Sequence, residues 1–200
     1  MNTITRFFQA LKKPSREENA RLLHERGEAV DNFIFREVRA TDLQELASLH
    51  VKVWNETYHN VKNPPNYATR EYQWQQQFKL TDGSWFCFVV ENSKGELIGF
   101  AKGNVYSSDE LPGYAGEVGK IYLKREYQRL GLGRKLVGYV VRRFLSQGIH
   151  SMVLFGVPQN PASKFHETLG GEKLYTKTGE FQGGYGWKDL QKLAGICPID

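Results

Sequence analysis

The chain has 200 residues and a mass of 23.0 kDa, room for one domain of ordinary size with or without an N-terminal extension. Hydrophobic residues make up 40% and include 12 Phe, 10 Tyr and 4 Trp, which excludes disorder as the overall state. Cys87 and Cys197 are the two cysteines; their separation excludes a disulfide framework and a cysteine-rich zinc site, so a reducing cytoplasm is the expected compartment.

No stretch approaches the roughly eighteen apolar residues of a membrane span. Ile4–Leu11 is too short and too interrupted for a signal-peptide core, and a soluble chain is expected. Lys and Arg number 27 against 22 Asp and Glu, a formal charge of +5. That surplus fits nucleic acid, a membrane surface, a polyanionic small molecule or a solvated basic surface alike. No helix-turn-helix or aromatic-basic repeat accompanies it, so neither nucleic acid nor membrane is expected as a partner.

Residues 15–31, rich in Glu, Arg and Ala, read as a surface helix that falters at Gly27. Met1–Asp31 is taken as a helical extension, and residues 32–200 as the main domain. That domain opens with an alternating strand, Phe33–Val38. Thr41 and Gln44 suggest a capping box ahead of Leu43, Leu46, Leu49 and Val53, whose spacing predicts a helix towards Tyr58. After the breaker Asn63-Pro64-Pro65-Asn66, a second helix carries Tyr72, Trp74 and Phe78. Trp85–Val90 and Glu96–Val105 then form a hairpin about Asn92-Ser93-Lys94-Gly95.

Gly116–Leu123 reads as a strand and Gly133–Leu145 as a strongly amphipathic helix capped by Gly148. A strand over Ser151–Val157, a helix starting at Asn160-Pro161 and ending at Gly170-Gly171, and strands at Glu172–Tyr175 and Gly184–Trp187 follow. The order predicts one α/β (α+β) domain. Its mixed, mostly antiparallel sheet has six to seven strands with helices on both faces.

The stretch with most chemistry is Gln128-Arg129-Leu130-Gly131-Leu132-Gly133-Arg134, between a strand and the amphipathic helix. Its glycines allow close backbone approach, and the free amides of the helix N-terminus with Arg129 and Arg134 favour phosphate. Position 136 is Leu, so the dinucleotide fingerprint G-x-G-x-x-G is absent, as is a Walker-type Gly-Lys-Ser/Thr ending. By itself the segment also fits a plain tight turn.

Preceded by Ile121-Tyr122-Leu123, this segment resembles the Q/R-x-x-G-x-G/A signature of the GNAT superfamily of acyl-CoA N-acyltransferases, including its polyamine-type small-molecule members. The likeness runs from about Phe33 to Leu190, with specific motifs between Gly116 and Gly171. It implies acetyl-CoA as co-substrate and no metal. Ile121 and Leu123 would offer backbone to the pantetheine arm. Gln128, Arg129, Gly131, Leu132, Gly133 and Arg134 would form the pyrophosphate cradle. Asn160–Gly171 resembles the later motif N-x-x-A-x-x-F-Y-x-x-x-G-F: Asn160 would contact the coenzyme arm and Lys164 a phosphate or solvent. His166 stands at the tyrosine whose hydroxyl commonly serves the leaving thiolate, and Gly171 at the final aromatic.

An alkylammonium must lose a proton before it attacks a thioester. Glu117 matches a glutamate base found in part of the family; an ordinary strand-end carboxylate is the alternative, with ordered water as base. Trp54, Tyr58 and Trp74 are the substrate candidates, the W-x-x-x-Y spacing being similar to that of members acting on polyamines or other small amines; an aromatic pair at helical spacing also fits a core. His50 and His59 are too isolated for a metal site. The expected activity is direct acetyl transfer to a small primary amine or peptide N-terminus in a ternary complex, with a homodimer among the assemblies allowed. The rival is a non-catalytic acyl-CoA sensor.

Overall fold

The computed structural model describes residues 15–58, 62–158, 160 and 162–199. Ile4–Leu11, His59 and Pro161 lie outside them. Seven strands form a single sheet: β1 (Ile34–Glu37), β2 (Trp85–Glu91), β3 (Leu97–Val105), β4 (Gly116–Leu123), β5 (Met152–Phe155), β6 (Glu172–Tyr175) and β7 (Phe181–Trp187), in the order β1-β2-β3-β4-β5-β7-β6. Every neighbouring pair is antiparallel except β4 and β5. This is the mixed α/β sheet that the sequence predicts.

Six α-helices accompany it among the described residues: α1 (Arg16–Glu25), α2 (Leu43–Thr57), α3 (Tyr67–Phe78), α4 (Leu132–Ser146), α5 (Ser163–Thr168) and α6 (Leu190–Ile196). The alternation of side chains along a strand divides the core in two. From β2, Phe86, Phe88 and Val90 join α4 on one face, while Cys87 and Val89 join α2 and α3 on the other. Burial on both faces explains why Trp85–Val90 reads as a continuous apolar run. In α4, Leu136, Val137, Val140, Val141 and Phe144 are buried. At about 1.5–3 kcal/mol for each large side chain, their packing outweighs the roughly 1 kcal/mol each that Gly133 and Gly138 cost a helix interior.

Several local expectations are corrected. Residues 40–42 form a 3₁₀ turn before α2, and the cap is Asp42 in place of the Thr41–Gln44 pair. The Asp42 carboxylate accepts the Arg39 amide at 2.7 Å and is gripped by both terminal nitrogens of Arg36 at 2.7 and 2.9 Å. The breaker at 63–66 ends in a working cap, the Asn66 Oδ1 accepting the Thr69 amide at 2.9 Å. α5 starts at Ser163, later than the expected Asn160-Pro161, because the Asn160 side chain closes a turn by accepting the Ala162 amide at 2.8 Å. α6 has no counterpart in the sequence reading. Asp189 caps it by accepting the Lys192 amide, and Arg142 of α4 donates to the Cys197 carbonyl at 2.9 Å.

Candidate active site

β4 organises the site. It pairs with β5 at only two positions, Gly116↔Met152 and Glu117↔Val153, and beyond them the two strands diverge. The rest of β4 therefore has no β5 partner and presents its backbone towards the gap, and buried amides and carbonyls in general demand partners. Ile121 and Leu123 lie along this free stretch, their side chains packed on the α4 core. Gly119 is an extra residue in β4: Lys102 faces Lys120 while the next residue, Gly103, faces Val118. A Cβ at Gly119 would meet the Asn104 side-chain Nδ2 at 2.7 Å, so any larger residue at the bulge has to displace that side chain. The bulge sets side-chain parity. Val118, Ile121 and Leu123 face α4, which leaves Glu117, Lys120 and Tyr122 on the α2/α3 face.

At the open end of the gap the chain turns into α4. Arg129 and Gly131 both take positive φ, +66° and +87°. A Cβ on Gly131 would meet nothing within 4 Å, so the position opens onto free space. Gly131 is the N-cap and supplies no side chain to the first-turn amides of Leu132, Gly133 and Arg134. Arg129, Gly131 and Arg134 are exposed, whereas Leu132 is buried. Gln128 braces the bend, its Nε2 donating to the Leu123 carbonyl at 3.0 Å. A Cβ on Gly133 would touch the Phe165 ring at 3.4 Å, which brings the start of α5 beside this turn. Free amides, two arginines and an open glycine fit a pyrophosphate.

The later motif is one residue shorter here than the family pattern. With Asn160 in the first place, the tyrosine place falls on Glu167; with His166 in the tyrosine place, the first place falls on Gln159, outside the described residues. Glu167 is exposed, paired with Lys173 at 3.1 Å. His166 is 3% exposed and enclosed by Phe165, Tyr185 and Trp187, with ring centroids 5.5, 5.4 and 6.3 Å away. Burial pushes its pKa down to about 4. This is the setting of a neutral, ring-packed imidazole. Asn160 Nδ2 instead donates to the Tyr58 hydroxyl at 3.4 Å. That hydroxyl also lies beside the hydroxyl of Tyr122, whose pKa is raised by burial and then by Tyr58. A phenol at the end of α2 thus stands between β4 and the segment after β5. Lys164 is exposed on α5.

On the same face, Trp54 packs on Tyr58 with centroids 5.2 Å apart, and the Arg70 guanidinium lies 6.0 Å over the Trp54 ring. Trp74 is 3% exposed, set against His50 and Phe100. Next to it a cavity of about 360 Å³ opens between α3 and the sheet, lined by His50, Arg70, Trp74, Gln77, Lys102 and Lys120 among others. Glu117 lies close enough for its charge to act on Lys102 and Lys120, without ion pairing to either. Sequence reading passed over Arg70, Lys102, Lys120 and Tyr122. A lysine inside the buried run Ile98–Gly103 was the one available signal.

Cys87 and Cys197 are buried free thiols. Burial raises both pKa values, that of Cys197 to about 11, so neither is a thiolate nucleophile at neutral pH. Among the described residues no helix is long and apolar enough to cross a membrane, and no group of three or more His, Cys, Asp or Glu is gathered.

The fold and the site define a mixed α/β protein with a ligand gap between diverging parallel strands and an anion-ready helix N-terminus. The model of the acetyltransferase (GNAT) family matches residues 44–170, and the chain belongs to this family of acetyl-CoA-dependent acyltransferases. The uncharacterized N-acetyltransferase YuaI of Bacillus subtilis is 34% identical over 170 residues, covering 79% of this chain and 94% of that protein. Phosphinothricin N-acetyltransferase of Streptomyces viridochromogenes is 30% identical over 108 residues, covering 52% of this chain and 56% of that protein. Among solved structures, PaiA N-acetyltransferase from Thermoplasma acidophilum in complex with coenzyme A superposes with a TM-score of 0.59 at 19% identity, covering 77% of this chain and 97% of that one. A phosphinothricin acetyltransferase from Sinorhizobium meliloti in complex with acetyl-CoA gives 0.58 at 21%, covering 78% and 86%.

Proposed function

We propose that the protein transfers acetyl from acetyl-CoA to the primary amine of a small molecule, directly, within a ternary complex. The observation that carries this reading is the two-residue pairing of β4 with β5, which leaves β4 backbone free beside the uncapped N-terminus of α4. Acetyl-CoA supplies an activated thioester. The amides of Leu132, Gly133 and Arg134, with Arg129 and Arg134, hold its pyrophosphate, and backbone around Ile121 and Leu123 aligns its arm in the gap. Gln128 keeps the turn in place. Asn160 positions Tyr58, and Lys164 is a further phosphate contact.

The acceptor enters from the α2/α3 face, past Trp54 and Tyr58. Trp74 forms the wall of that approach. Glu117, directly or through one water, takes the ammonium proton. The amine nitrogen then bonds to the carbonyl carbon, the carbon–sulfur bond breaks, and the proton the nitrogen gives up on becoming an amide passes through the Tyr58 hydroxyl to the departing thiolate, leaving free coenzyme A. A β4 amide is a suitable donor to the developing oxyanion. The likeness to an enzyme named for phosphinothricin supports a small-molecule acceptor.

Gly131→Glu tests the cradle. It places a carboxylate where the pyrophosphate belongs and a side chain at positive φ. Calorimetry should show coenzyme A affinity at least tenfold weaker, about 1.4 kcal/mol, with the melting temperature lowered by only a few degrees through the strain at positive φ. Unchanged affinity refutes the cradle, and wild-type coenzyme binding without thiol release across a broad amine panel favours an acyl-CoA sensor over an enzyme.

A further inference from the structure

The cavity beside Trp74 holds more unpaired positive charge than a resting protein core tolerates. Lys102 and Lys120 are direct cross-strand partners in β3 and β4, and like charges placed opposite each other destabilise a sheet. Lys102 is 9% and Arg70 8% exposed. Lys102 donates to Gln77 Oε1 at 2.5 Å, and Arg70 Nη1 to Gln73 Oε1 at 2.9 Å. Both acceptors are neutral amides, and among the described residues none of the three cations has a carboxylate within ion-pair distance. Burying a cation without a counter-charge costs several kcal/mol.

Orphaned polar atoms gather at the same place. The buried Arg70 Nε, Trp74 Nε1 and His50 Nδ1 have no hydrogen-bond partner, three of the four such side-chain atoms found among the described residues. Arg70 and Trp74 are each more than nine-tenths buried, and both of these nitrogens are donors. The electrostatics agree. Burial, then Arg70 and Lys120, push the pKa of His50 down to about 3, and burial, then Lys120, push that of Lys102 down to about 8. Three cations and two idle N–H groups around a void of small-molecule size form a donor set with its acceptor missing.

We infer that the acceptor amine carries an oxyanion group, a carboxylate or a phosphorus oxyacid, which docks on Arg70, Lys102 and Lys120 while its amino group faces Glu117. This rests on the reading of the α2/α3 face as the acceptor side of an acetyltransferase. It reverses one expectation from the sequence: a polyamine would bring more positive charge into a pocket that already holds three cations. The Arg70 guanidinium supplies a planar fork for two oxygens, and the lysines supply point charges. Filling the site relieves the Lys102–Lys120 repulsion.

The test compares thiol release from acetyl-CoA with glycine, aspartate and 2-aminoethylphosphonate against glycinamide, aspartic acid diamide and spermidine. Acid-bearing amines should exceed their neutral partners at least tenfold in kcat/KM, and the order of carboxylates and phosphonate identifies which oxyanion is preferred. Lys120→Met and Arg70→Gln should erase the preference through the acceptor KM, with KM for acetyl-CoA unchanged within about twofold. Lys102→Met, which removes a repelling neighbour, should melt no lower than wild type, so loss of preference in it is not misfolding. Equal use of acids and amides, or preference for spermidine, overturns the inference and leaves the transferase reading intact. If no amine in the panel is turned over, melting with methylphosphonate and acetate decides. An anion-dependent rise in Tm that Lys120→Met abolishes upholds the pocket while the transferase reading fails, and no rise overturns the pocket.

Discussion

At the scale of single residues, the decisive proton is the one on the acceptor amine. Alkylamines have pKa values near about 10.4, so a base is needed at neutral pH and becomes superfluous in strong alkali. Glu117 is half-buried on the face of β4 that carries Lys120 and Tyr122, and among the described residues it makes no ion pair. Glu117→Gln should lower kcat/KM at least about tenfold at pH 7, with the loss shrinking towards pH 10. A loss of equal size at every pH identifies Glu117 as structural. The candidate base was legible because its position follows from the motif after it. The cations were not, since Lys102 and Lys120 meet only through the β3–β4 register, and the bulge at Gly119 decides which face Lys120 takes. Tyr58 was singled out as a substrate residue, but its hydroxyl contact with Asn160 joins positions 102 apart in the chain.

At the scale of elements, the unexpected partner of the proposed coenzyme turn is α1. Asn19, 1% exposed, donates through Nδ2 to the carbonyls of Arg125 at 3.0 Å and Gln128 at 2.8 Å. It thereby fixes the residue before Arg129 and Gly131, where the backbone takes its two positive-φ steps. Leu23 reaches the α4 core, and Tyr127 donates to Glu28 Oε2 at 3.1 Å. Asn19→Ala takes the side-chain donor from the Gln128 carbonyl and one of two donors from the Arg125 carbonyl, which keeps the Gln128 amide at 3.2 Å; it costs about 1–3 kcal/mol and loosens the cradle. KM for acetyl-CoA should rise severalfold with kcat nearly unchanged; a lower Tm with an unaltered KM makes α1 a stabilising brace only. The elements themselves were largely readable, because β2, α4 and the β2–β3 turn announce themselves by period and by Gly95 at φ +78°. α6 was missed because its seven residues bury only Leu190 and Leu193, too few for a helical period to stand out.

At the scale of the whole molecule, two buried histidines tie stability to pH. His50 and His166 are 1% and 3% exposed, and their folded pKa values lie at about 3 and about 4, against about 6.5 for an unfolded chain. Between those values the unfolded state binds more protons than the folded one, so stability rises with pH there. The full contribution is present above about pH 6.5 and is lost as pH falls towards 4 and then 3. By pH 5 each histidine costs about 2 kcal/mol relative to pH 7.5. The ion-paired carboxylate of Asp42, whose pKa the Arg36 guanidinium holds down against burial, titrates below this window, whereas Lys102 and Glu56, shifted by burial to about 8 and upwards respectively, contribute to it equally in wild type and in a histidine variant. His166→Phe fills the same aromatic niche with nothing to protonate. Its stability should fall by about 2 kcal/mol less than that of wild type between pH 7.5 and pH 5, in urea melts at the two pH values. Its kcat at pH 7.5 should stay within about twofold of wild type if, as proposed, Tyr58 and not His166 serves the thiolate. A variant as acid-sensitive as wild type refutes the buried neutral imidazole, and one that folds normally but loses kcat at least tenfold restores His166 to the thiolate.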